Sequence, residues 1–99
     1  MPFGGFVNAL PPELFILVHL VALLIGAYFA AQSFRAGAAT FGWGFALYAL
    51  AEIFYITYHL DLTVVLFAHT LAEVLDLLAF ILLFAGISQT VLAARRARA

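Results

Sequence analysis

The segment 51–76, AEIFYITYHLDLTVVLFAHTLAEVLD, holds Glu52, His59, Asp61, His69, Glu73 and Asp76. Imidazoles and carboxylates are the side chains that ligate borderline metal ions and pass protons within membranes. They are concentrated here in a chain that is 68% hydrophobic and 9% charged. Their spacing orders them. On a helix of 3.6 residues per turn, Tyr48, Glu52, Tyr55 and His59 fall on one narrow stripe. His69, Glu73 and Asp76 form a second stripe, and His19 shares a face with Gly26, Ala30 and Ser33. A hairpin between the two stripes would fold them onto one site.

The chemistry such a site allows is that of a transition metal. His19, His59, His69 and Glu73 are the candidate ligands, with Glu52, Asp76, Tyr48 and Tyr55 as neighbouring hydrogen-bond partners or proton acceptors. Histidine with carboxylate suits Zn, Cu or Fe, and the absence of Cys excludes a thiolate site. The pattern is neither the Glu-x-x-His of di-iron bundles nor the His-Glu-x-x-His of zinc peptidases. Haem b between two histidines, a quinone site at the outer rim, or a proton or ion relay are alternatives. The polar stripe ends below Asp76, where Phe80, Leu83 and Ile87 follow, so a complete channel is hard to build from one chain. The same groups could instead join helices or dock the chain as an accessory subunit of a larger, redox-type complex. No catalytic residue is assigned, and whether the chain is an enzyme is left open. Ser33, Ser88, Thr57, Thr63 and Thr70 have no triad partner by spacing.

The elements that position these residues follow from composition. A soluble domain carries about 25% charged residues; this chain does not, and its solvent is lipid. A net charge of −1 gives no reason to expect nucleic acid. Residues 1–12 lack Lys and Arg, so the first apolar run is expected to be a retained span rather than a signal peptide. Residues 1–11, with Phe3 and Phe6, are expected to lie at the interface. Pro11-Pro12-Glu13 is a helix start. Helices are expected at about 12–34, 41–59 and 64–93, each near the length a bilayer needs. Gly37 and Gly42 mark the first loop. Leu60–Thr63 is the second turn, with Asp61 or Thr63 as N-cap of the third helix. Residues 94–99 form a basic tail.

The expected protein is therefore all-α and integral to the membrane, a three-helix domain over 12–93. Arg35, Arg95, Arg96 and Arg98 fall at one end of the spans, Glu13 and Asp61 at the other. The positive-inside rule puts the arginines in the cytoplasm and the N-terminus outside, as in a prokaryotic inner membrane; contact with lipid headgroups is a further use for them. Trp43 and Tyr58 read as interfacial belt rings. Small-residue pairs, Gly26/Ala30, Ala27/Ala31, Gly42/Ala46 and Ala68/Ala72, would let backbones approach. The three polar faces are expected to converge inside a bundle, and three helices are few for a buried polar site, so a homo-oligomer or larger assembly is expected.

Overall fold

The computed structural model describes residues 3–98. Met1 and Pro2 of the expected interfacial segment, and Ala99 of the basic tail, lie outside them. The architecture is all-helical: a short 3₁₀ helix, Gly5–Ala9, then α1 (Pro12–Arg35), α2 (Ala39–His59) and α3 (Val65–Arg98). All three α-helices are long and apolar enough to cross a membrane. Pro12 occupies the first turn of α1, and Glu13 lies against the positive end of its dipole.

α3 continues to Arg98 rather than ending near Ala93. Ala93, Ala94 and Ala97 alternate with arginines, which are strong helix formers and favourable at a C-terminus. At 1.5 Å per residue its 34 residues run about 51 Å, well beyond the ~30 Å hydrocarbon core. The basic end of α3 is therefore a helical extension of the span.

Both turns use the same device. After α1, the Ala38 N–H donates to Ser33 O (2.8 Å) and the Gly37 N–H to Phe34 O (3.1 Å), with Gly37 at φ 77°. After α2, the Leu62 N–H donates to Thr57 O (2.9 Å) and the Asp61 N–H to Tyr58 O (3.0 Å), with Asp61 at φ 61°. These are paired Schellman closures, each needing one left-handed residue. Asp61 is thus the stop of α2 and not the expected N-cap of α3. Its short polar side chain is one of the few that tolerate that conformation.

The helices lie in a row. α1 and α3 each pack along α2, and among the described residues they make no backbone contact with one another. Small residues set the approach: Gly26 and Ala30 on α1, Gly42, Gly44, Ala49 and Ala51 on α2, Ala68, Ala72, Ala79 and Gly86 on α3 are all buried. Large side chains sit in the glycine notches. A Cβ at Gly26 would meet the Tyr48 ring at 2.8 Å, and one at Gly44 would meet Leu83 at 2.8 Å. Gly42 receives the ring of Phe34 and Gly86 that of Phe41. Ala27 and Ala31, by contrast, are exposed and face away from the packing. The bundle is an open fan in which α2 separates its neighbours, and the polar faces meet across the groove between them. Thr40 Oγ1 donates to Gln89 Oε1 (3.1 Å), tying the start of α2 to α3.

Substituting Gly37→Ala forces a side chain into the left-handed region and should cost about 1–2 kcal/mol. Asp61→Gly removes the same strain and should stabilise by up to about 1 kcal/mol. Unfolding of the variants in detergent micelles reads both; no change on Gly37→Ala would contradict the turn assigned to it.

Candidate functional site

The groove along α2 contains two cavities, one above the other. The outer one, so named because it lies nearer the α2–α3 turn, is about 510 Å³ and is lined by His19, His59, His69, Tyr55 and Tyr58, and by Phe15. All three histidines, contributed by three different helices, face this space. Val7, Asn8 and Leu10 also line it, so the segment before α1 reaches the histidine cavity. The second cavity, about 410 Å³, lies deeper, between Gly26 and Phe29 of α1, Tyr48 of α2 and Asp76 of α3.

Glu52 stands between the two levels. It is 7% exposed, a buried charged residue in the middle of α2. Its Oε2 lies 2.5 Å from His19 Nδ1. With Glu52 ionised, the imidazole N–H donates and the carboxylate accepts, and the bond joins α1 to α2. Ring packing fixes the rest. His19 stacks on Tyr55 (4.8 Å between centroids) and on His59 (5.4 Å), and His59 stacks in turn on Phe15 (5.2 Å). His69 meets the edges of Tyr55 (5.1 Å) and Tyr58 (5.5 Å). Tyr55 thus stands between His19 and His69.

The structure therefore brings together His19, His59, His69, Glu52 and Tyr55. Tyr48 and Asp76 belong to the deeper cavity. Asp76 Oδ1 is buried and, among the described residues, has no hydrogen-bond partner. Glu73 is exposed on α3 and lines neither cavity, although it shares a helical stripe with His69. Among the described residues no three His, Asp or Glu side chains already surround a single point as a metal would require. Arg35, Arg95, Arg96 and Arg98 are exposed, away from both cavities.

Tyr58 reads from sequence more as a belt ring than as a site residue, and Phe15 and Asn8 are not expected in the site. Tyr58 lines the cavity instead of serving only as a belt ring, Phe15 supplies a stacking wall, and Asn8 brings a polar group to the lining. The stripe positions gave a partial signal for Tyr58, which neighbours His59. Nothing in local spacing foretells that the N-terminal segment reaches the histidine cavity. No family model, curated protein or solved structure matches the chain.

Glu52→Ala leaves the His19 N–H facing a cavity without its acceptor, and should destabilise the helix packing by about 1–2 kcal/mol. Glu52→Gln keeps a carbonyl acceptor and should cost less than half as much. Unfolding titrations in micelles distinguish the two, and equal losses would show that the charge rather than the hydrogen bond matters.

Proposed function

We propose that this chain is a small integral membrane protein that binds a transition metal, Zn, Cu or Fe, at the outer histidine cavity. The observation that carries the reading is the Glu52–His19 hydrogen bond. A histidine whose Nδ1–H is held by a carboxylate presents Nε2, fixed in tautomer and direction, to a ligand; metal-binding histidines are commonly oriented this way. His59 and His69 line the same cavity and supply the further nitrogens. An ion would draw them toward His19 Nε2 by side-chain rotation about the Tyr55 ring. Glu73 stands outside this set. The close stack of His19 on His59 leaves no slot for a haem plane between those two rings, so a haem b would need His19 with His69.

A second reading is favoured by Glu73 itself. It is exposed on α3 at roughly 12 Å below the helix start, at 1.5 Å per residue. An ionisable group facing lipid at that depth is costly. A second copy or a larger membrane complex covering that face would remove the cost, which makes the chain a homo-oligomer or an accessory subunit. Under either reading the arginine-bearing ends face the cytoplasm of a prokaryotic inner membrane, and the histidine cavity opens outward.

Metal analysis and an ultraviolet–visible spectrum on gently purified protein test the first reading. About one metal per chain, or a fixed fraction per oligomer, is expected. His19→Ala should abolish retention, and Glu52→Ala should weaken it by about 10–100-fold. Metal-free protein after supplementation would contradict it. The absence of native Cys allows a clean test of orientation. Leu62→Cys, at an exposed position of the α2–α3 turn, should react with an impermeant thiol reagent added outside cells, and Ala97→Cys only after lysis. The reverse pattern would overturn the assigned topology.

A further inference from the structure

The deeper cavity has a chemistry of its own, separate from the metal reading. Its walls are Ile25, Phe29, Phe45, Phe80 and Leu83, with the Tyr48 ring and the backbone of Gly26 between α1 and α2. Its volume, about 410 Å³, falls in the range of small-molecule sites. Asp76 is its acidic group, and Oδ1 of that carboxyl is buried with no partner among the described residues. The helices that wall it carry no Lys, and their Arg residues lie only at the ends, at Arg35, Arg95, Arg96 and Arg98. Among the described residues the pocket therefore holds a carboxyl group in apolar aromatic surroundings with no Lys or Arg beside it.

We propose that this cavity binds a hydrophobic amine, an apolar ring-bearing molecule with one protonated nitrogen, entering sideways from the bilayer between α1 and α3. An ammonium group supplies the donor and the opposite charge that Asp76 lacks. The faces of Phe29, Phe45, Tyr48 and Phe80 suit both the apolar body and the cation, since aromatic rings attract ammonium groups. Entry needs no gate, because α1 and α3 are not in backbone contact among the described residues and Ile25 and Phe80 at the rim are exposed. An acyl chain would satisfy the walls but not the carboxylate. A helix of a second copy would bring no Lys or Arg to that depth.

The test uses dibenzylammonium as probe and dibenzyl ether, its uncharged isostere, as control, with the full chain in lipid nanodiscs and equilibrium dialysis as readout. Saturable binding of the amine, at least tenfold tighter than the ether, is expected. Asp76→Asn should remove that preference and leave the two probes equal. Ile25→Trp, which leaves Asp76 intact and blocks the rim, should reduce binding at least tenfold; it keeps the test open if Asp76→Asn does not fold. Equal binding of amine and ether to the parent protein would show a cavity for apolar chains only and overturn the proposal. So would amine binding that survives both substitutions. Because the outer histidines are unchanged throughout, a failure here is separate from any failure to find metal.

Discussion

A carboxylate buried in the central helix of a lipid-facing fan must be met by a donor, and the hydrogen bond from His19 to Glu52 meets it. In hydrocarbon no water replaces a missing partner, so such a bond orients the helices that carry it even where its net contribution to stability is modest. It aligns α1 against α2 at the level where the two cavities meet. From that fixed imidazole the stacked series of Phe15, His59, His19 and Tyr55 extends outward, and Tyr55 positions itself edge-on to His69 of α3. The outer cavity is thus assembled from α2 outward, with Glu52 holding the His19 ring in its wall.

The fan shape follows from where the small residues lie. α2 carries notches toward both neighbours, Gly42 toward Phe34 of α1 and Gly44 toward Leu83 of α3. Each outer helix can therefore approach α2 closely. Phe45, Tyr48 and Tyr55, on the face between those notches, occupy the space in which α1 and α3 would otherwise meet. Close packing on the flanks and bulk in the middle give a groove rather than a closed bundle. That groove is what allows a polar site near the surface and an apolar cavity below it.

Much of this is legible in the sequence. The three spans follow from apolar length, and the stripe residues Tyr48, Tyr55 and His59 line the groove as a 3.6-residue period requires, with Glu52 of the same stripe buried between them. Periodicity resolves a face but not its edge. His69 and Glu73 differ by about 40° around α3, and the groove wall falls between them, leaving one lining the cavity and the other exposed. Ala27 and Ala31 show the same limit, since a small-residue pair one position from Gly26 and Ala30 points away from α2. Asp61 was ambiguous because aspartate serves both at N-caps and in left-handed turns, and only its hydrogen bonds decide. The approach of Val7, Asn8 and Leu10 to the histidine cavity is a long-range contact with no local pattern to announce it.

The most direct measurement is the ¹⁵N NMR spectrum of histidine-labelled protein in bilayers, with His19 assigned by substitution. His19 Nδ1 is expected to carry a proton in a hydrogen bond to Glu52, and Glu52→Ala to shift this signal while leaving His69 little changed. A His19 ring with Nδ1 bare and its proton on Nε2, insensitive to Glu52→Ala, would contradict the interaction on which the site is built.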